Sequence, residues 1–166
     1  MQTDASFELR VLTPQDWEAV LAVYQQCEDF LALGPHPHAS REMVLSDMAL
    51  SQRDGGVFCG IYLPQEGLVG VVDYIPHHFE GRAEHAFLSL LMIAAPFRQR
   101  GLGQAVTARV EAAIKQNAGV TAILSAVQVN APQSIRFWQR NGYRIVSGPE
   151  LQPDQTTTFR LYKELS

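Results

Sequence analysis

The chain has 166 residues, 46% of them hydrophobic and 18% charged, with a formal net charge of -4. That length suits one domain over residues 1–166 with one buried core, and the acidic balance excludes a nucleic-acid binder that works through a broad basic face. No run approaches the roughly 18 apolar residues of a membrane span, and Met1-Gln2-Thr3-Asp4 lacks the basic start of a secretory signal, so a cytoplasmic protein is expected.

Phe7 to Leu12 alternates apolar and polar residues as a short strand does. Thr13-Pro14 then supplies an N-cap and a first-turn proline for a helix carrying Trp17, Val20, Leu21 and Tyr24 at helical spacing. A loop, Gly34-Pro35-His36-Pro37-His38, leads to Ser40, which is placed to cap a second helix through about Ser51. Val57–Leu63 and Leu68–Ile75 read as a hairpin turned by Pro64-Gln65-Glu66-Gly67. His85 to Ala94 is apolar on both faces, with Phe87, Leu91 and Ile93 expected on one and Leu88, Leu90 and Met92 on the other. Such a strand is central and covered on both sides.

An amphipathic helix follows Gly101, with Leu102, Val106, Val110, Ala113 and Ile114 on one stripe, and Thr121–Gln128 is a further strand. Strand, helix and strand in this spacing form a βαβ crossover, so the two strands should be parallel neighbours. Ala131–Asn141 reads as a helix closed by Asn141-Gly142, and Tyr143–Val146 with Thr157–Tyr162 as a last antiparallel pair. The fold class is therefore α/β with a mixed sheet.

Acidic residues dominate the first half, whereas Arg98, Arg100, Arg109, Arg136, Arg140 and Arg144 fall in the second. Cys27 and Cys59 are far apart in apolar surroundings and are expected to be buried and reduced, and no His, Cys, Asp or Glu set has metal-ligand spacing. The informative segment is Arg98-Gln99-Arg100-Gly101-Leu102-Gly103-Gln104, between a buried strand and an amphipathic helix. A glycine turn at a helix start leaves backbone N–H groups pointing outward, with the helix dipole behind them and two arginines beside them. This suits the phosphate of a nucleotide-like ligand. It is neither a Walker loop nor a dinucleotide fingerprint.

The segment resembles the acetyl-CoA signature of the GNAT superfamily of N-acetyltransferases, R/Q-x-x-G-x-G/A. Ser134-Ile135-Arg136-Phe137-Trp138-Gln139-Arg140-Asn141-Gly142-Tyr143 resembles the same family's second helix motif, and the element order agrees over roughly Phe7 to Leu165. The resemblance implies a central mixed sheet of about six to seven strands flanked by about four helices. It implies that the amides of Gln99, Arg100, Gly101, Leu102, Gly103 and Gln104 bind the pyrophosphate of acetyl-CoA, supported by Arg98 and Arg100. Main-chain groups of Leu91, Met92 and Ile93 would pair with the pantetheine arm where two central strands splay apart. An amide near Met92 would polarise the thioester carbonyl. Asn130, Ser134 and Phe137 would also line the cofactor.

Trp138 stands where the family often has a tyrosine that protonates the leaving thiolate. An indole N–H is no acid at neutral pH, so Trp138 either walls the acetyl pocket or fills core. Asp73, in the otherwise apolar Leu68–Ile75 strand, is the candidate base or grip for a cationic amine; its alternative is a strand-end carboxylate bonded to backbone or solvent. His77 and His78, and His36 and His38, lie on loops that overlook the same region, and His85 reads as structural. The function implied is direct acetyl transfer in a ternary complex to a small-molecule primary amine. Alternatives are a protein N-terminal or lysine acetyltransferase and a degenerate acyl-CoA sensor. A homodimer is an option the family offers.

Overall fold

Backbone hydrogen bonding gathers every expected strand into one sheet. In a computed structural model describing residues 6–117 and 119–166, the chain runs β1 (Glu8–Val11), α1 (Trp17–Gln25), α2 (Glu28–Leu31), α3 (Arg41–Arg53), β2 (Val57–Leu63), β3 (Gly67–Ile75) and β4 (His85–Ile93). It continues through α4 (Leu102–Lys115), β5 (Ala122–Gln128), α5 (Pro132–Arg140), β6 (Arg144–Leu151) and β7 (Thr157–Glu164). The Met1–Asp4 start lies outside the described residues. The strand order is β1-β2-β3-β4-β5-β7-β6, antiparallel throughout except for β4 and β5, which the α4 crossover makes parallel. Among the described residues no helix is long and apolar enough to cross a membrane.

Local chemistry fixes the helix starts. The Thr13 N–H donates to Asp16 Oδ2 at 2.8 Å, closing a 3-10 turn that opens α1. Ser40 Oγ accepts from Met43 N at 3.1 Å at the head of α3. Helices cover both faces of the sheet. Val106, Val110, Ile114 and Trp138 from α4 and α5 pack on Ile61, Leu88, Ile123 and Leu161. On the other face, Val20, Val23, Tyr24, Val44 and Met48 from α1 and α3 pack on Phe58, Val71 and Met92. Cys27 and Cys59 are buried and unpaired.

Two features depart from the sequence reading. The strand expected over Tyr143–Val146, β6, runs to Leu151, five residues past Val146, with all eight residues exposed, an irregular register and Pro149 inside it. The second departure is in β4. Asp73 pairs with Leu90 and Tyr74 with Leu88, so Ser89 is an extra, unpaired residue, a β-bulge. A bulge reverses the alternation beyond it. Leu88 therefore joins Leu91 and Ile93 on the α4/α5 face, and Leu90 and Met92 lie on the α1/α3 face. The even and odd grouping expected for this strand does not hold.

The bulge coincides with a break in the sheet. Pairing between β4 and β5 covers only His85–Leu88 against Ala122–Ser125, after which β5 stays with β7 while β4 stays with β3. The Leu88 carbonyl at the break is capped by Ser125 Oγ, which donates to it at 2.7 Å and is itself buried. Ser125→Ala leaves that buried carbonyl without its donor and is expected to cost about 1–3 kcal/mol. At this chain length that is a Tm loss of roughly 2–4 °C per kcal/mol, readable by calorimetry.

Candidate active site

Beyond Ile93 the chain turns through a 3-10 segment, Ala95–Phe97, into the Arg98–Gly101 loop. Gln99 (φ 62°) and Gly101 (φ 76°) both sit in the left-handed region, which turns successive amides to one side. The first intrahelical bond here is Ala105 N to Gly101 O, and among the described residues the N–H groups of Gln99, Arg100, Gly101, Leu102, Gly103 and Gln104 have no protein acceptor. Six consecutive free donors at the head of a 14-residue helix form an anion cradle. Gly101 faces open space, so nothing but its own backbone conformation disfavours a side chain. Gly103 is set by close approach, since a Cβ there would lie 3.2 Å from Phe137 Cε2.

The two arginines differ. Arg100 is exposed, with its guanidinium 5.6 Å from the Phe97 ring centre. Arg98 turns away from the cradle. Its Nε donates to Ile93 O at 2.7 Å, and Nη1 and Nη2 donate to Asp29 Oδ2 and Oδ1 at 2.5 and 3.1 Å. Arg98 is thus not the free phosphate-facing charge that its place in the motif suggests.

The unpaired part of β4 presents backbone to the gap. Ala94 N donates to Val69 O at 2.8 Å, and alternation then directs the amides of Leu90 and Met92 to β3 and those of Leu91 and Ile93 toward β5. Met92 consequently brings no amide to the gap, because its peptide is spent on the β3 ladder and its side chain is buried under α1 and α3. The available groups are the Leu91 N–H and C=O and the Ile93 N–H. The Ile93 carbonyl already accepts from Arg98 Nε and from Cys27 Sγ, the latter at 3.5 Å.

Beside β5, Asn130 Nδ2 donates to Leu33 O at 3.0 Å, so its amide nitrogen holds the segment after α2. Ser134 and Phe137 are half-buried on α5. Trp138 is 8% exposed, edge-on to both Phe137 and Tyr143, with ring centres 5.1 and 5.0 Å away.

The α1/α3 face carries the titratable groups. Asp73, 7% exposed, accepts from Ser51 Oγ at 2.6 Å, and a Cβ on Gly56 would come within 3.1 Å of the same carboxylate oxygen. Burial pushes its pKa up to about 6; the Ser51 bond opposes this, and the Asp47 and Asp54 carboxylates add to it. Asp47 on α3 accepts from Tyr24 OH at 2.7 Å, and its pKa is also raised, by burial first and then by Asp154 in the β6–β7 turn. Sequence reasoning found Asp73 but not Tyr24, Asp47, Ser51 or Asp29. Each of these occupies an ordinary helical position, and its partner is 22 or more residues away.

His77 and His78 are exposed in the β3–β4 connection, at the opposite end of β4 from the anion cradle. His78 helps line a cavity of about 310 Å³ with Asp54, Ile75, Phe79 and Glu80. A second cavity of about 310 Å³ lies where Leu33–Pro35, Gln128–Asn130 and Gln155–Thr157 meet, at the open end of the gap. His36 and His38 are exposed, and His85 packs edge-on to Tyr162.

A splayed pair of strands leading to a cradle of free amides is a site for an extended, phosphate-bearing ligand, and comparisons with known proteins agree. The chain matches the sequence profile of the Acetyltransferase (GNAT) family over residues 17–143, and it belongs to that family. It is accordingly an N-acetyltransferase, a transferase of the EC 2.3.1 type, with acetyl-CoA as the acetyl donor. Its structure is similar to that of an acetyltransferase from Thermus thermophilus, with 26% identity and a TM-score of 0.81 over 96% of this chain and 97% of that chain. The PaiA N-acetyltransferase from Thermoplasma acidophilum, solved with coenzyme A, shares the fold at 19% identity and a TM-score of 0.66, covering 96% of this chain and 99% of that one. So does a spermidine N-acetyltransferase from Vibrio cholerae, in complex with CoA and spermine, at 14% identity and a TM-score of 0.73 over 97% and 96% of the two chains. No match was found among curated proteins.

Asp73 makes stability depend on pH in a stated direction. Its ordinary pKa is 3.8 and its folded value about 6, so between these values the native state holds a proton that the unfolded chain has lost. Stability contributed here falls as pH rises from about 4 to about 6 and stays lower above. Asp73→Asn, which keeps an acceptor for Ser51, is expected to be about 1–3 kcal/mol more stable than the parent at pH 7.5 and no more stable at pH 4. Urea melts at both pH values measure the difference.

Proposed function

We propose that the whole chain acts as one N-acetyltransferase domain that acetylates the primary amine of a small molecule by direct attack in a ternary complex. One observation carries this reading. The gap between β4 and β5 has six free amides at one end, and the innermost charged groups of the α1/α3 face beside it are the carboxylates Asp73 and Asp47. The donor fits the first part, because the cradle Gln99–Gln104 suits a pyrophosphate and Arg100 adds exposed positive charge. A cationic amine fits the second.

In this assignment Leu91 C=O and one of the two free β4 amides, Leu91 N–H and Ile93 N–H, pair with the pantetheine arm, with Ser134 and Phe137 against it. Acetyl-CoA supplies an activated thioester. The other β4 amide takes the polarising role that the family resemblance gives to Met92, donating to the carbonyl oxygen as negative charge develops on it. Asp73 accepts the proton of the incoming ammonium through water. A pKa of about 6 leaves it ionised at neutral pH yet more basic than a solvated aspartate. The amine nitrogen then bonds to the carbonyl carbon, the C–S bond breaks, the nitrogen gives its surplus proton to solvent, and the departing thiolate takes one proton from solvent in turn. Trp138 is packed in the core under α4 and α5 and donates no proton.

The second cavity supports another reading. Its lining of backbone, Gln128, Asn130, Gln155 and Thr156 is uncharged and suits the amides of a peptide N-terminus. The buried thiols Cys27 and Cys59 fit a reducing, cytoplasmic setting.

Gly101→Glu is expected to abolish CoA binding in calorimetry, because it sets a carboxylate against the pyrophosphate. Unchanged affinity would remove the cradle from the donor site. Asp73→Asn should lower kcat by about 100-fold or more with CoA affinity intact, read as release of free CoA thiol across a panel of small amines and short peptides. Full activity of that variant overturns the role of Asp73, and turnover of peptides alone overturns the small-molecule reading.

A further inference from the structure

Past Leu88 and Ser125 the two lips of the gap have no ladder between them, and among the described residues no hydrogen bond joins 89–98 directly to 126–131. One short segment, running from the end of α1 through α2, bonds to both. On the β4 side Ala95 N donates to Gln26 O at 3.2 Å, Cys27 Sγ reaches Ile93 O, and the Arg98 guanidinium grips Asp29 while its Nε holds Ile93 O. On the β5 side Asn130 Nδ2 donates to Leu33 O, and a Cβ on Gly34 would lie 3.7 Å from Gln128 Nε2. Leu33 and Gly34 then line the cavity at the open end of the gap.

We propose that the segment Gln26–Gly34 is a tie across the mouth of the splayed strands, and that Arg98, Asp29 and Asn130 are positioning residues that hold the slot at working width. This rests on the donor assignment above and adds to it. Charge decides between a tie and a direct phosphate contact. A carboxylate clamped on the motif arginine works against binding of a polyanion, so electrostatic attraction does not account for Asp29. A planar guanidinium that meets a carboxylate with two N–H groups and a strand carbonyl with a third is a spacer of fixed geometry. The pair is too exposed to add much to global stability, with side-chain exposures of 31% and 63%. Its effect falls on the shape of the site: Arg98 is the first residue of the cradle loop, so the same bonds that fix α2 fix where Gln99 and Gly101 begin their left-handed turns.

The tie makes a counterintuitive forecast. Asp29→Asn removes negative charge beside a polyanion site, yet it should weaken CoA binding by about 5-fold or more in calorimetry. Arg98→Lys keeps the charge but not the fork and should lose a similar factor, and the double variant should lose no more than either single. With an amine that the parent enzyme turns over, Asn130→Ala should raise the acceptor KM more than it lowers kcat, with Tm within a few degrees of the parent. Tighter or unchanged CoA binding in Asp29→Asn, parental affinity in Arg98→Lys, or additive losses in the double overturn the tie. Failure of the parent protein to bind CoA would instead overturn the donor assignment, which separates the two.

Discussion

Everything functional in this fold depends on four residue pairs of parallel sheet and what happens when they stop. A parallel ladder that continued to Ile93 would bury the backbone of β4 between two neighbours and leave no entry for a ligand. The break requires that groups freed from the ladder be satisfied or exposed. Ser125 caps the Leu88 carbonyl at the apex, Arg98 and Cys27 take the Ile93 carbonyl at the rim, and the groups left over between them face the gap. The bulge at Ser89 acts at the same point, turning β4 so that Leu90 and Met92 fill the α1/α3 core and Leu91 and Ile93 the other.

The cradle end of the gap and the α1/α3 face beside the gap have opposite electrostatic characters, produced by different means. At the cradle, positive potential comes from backbone amides and a helix dipole, with Arg100 as an exposed charge beside them. On the α1/α3 face, negative potential comes from carboxylates partly stripped of water. Burial holds Asp73 and Asp47 above the ordinary range, and each is kept from full desolvation by one hydroxyl, from Ser51 and Tyr24. A carboxylate held in this way is a better proton acceptor and a less stable part of the fold, which is a common tension at working sites.

The strands, the β4–α4–β5 crossover and the Arg98–Gly103 loop were legible because each rests on local rules: alternation, a glycine turn, an amphipathic stripe. Asp73 stood out for the same reason, as a lone charge in an apolar strand. What the sequence hid were consequences of long-range contact. Ser89 is an unremarkable polar residue until Leu88 and Leu90 are seen paired to adjacent residues of β3, and the amide near Met92 that the family resemblance implied belongs to a peptide on the β3 ladder. Arg98 read as a phosphate ligand because its partner Asp29 lies 69 residues away, on a four-residue helix too short to leave a periodic signature. Asn130 was assigned to the ligand when its amide nitrogen already had a carbonyl partner, Leu33 O, 97 residues away.

The outer strands bear on all of this. At one edge β1 is only four residues long; at the other, β6 is exposed along its length but broken in register twice and interrupted by Pro149, which has no N–H to offer. Short, kinked or proline-bearing edges are poor templates for another strand. The two rims therefore discourage pairing with neighbours, while the free strand groups of Leu91 and Ile93 lie in the interior of the sheet. The chemistry that suits an extended ligand is thus kept away from the edges, where it would serve as a seed for aggregation.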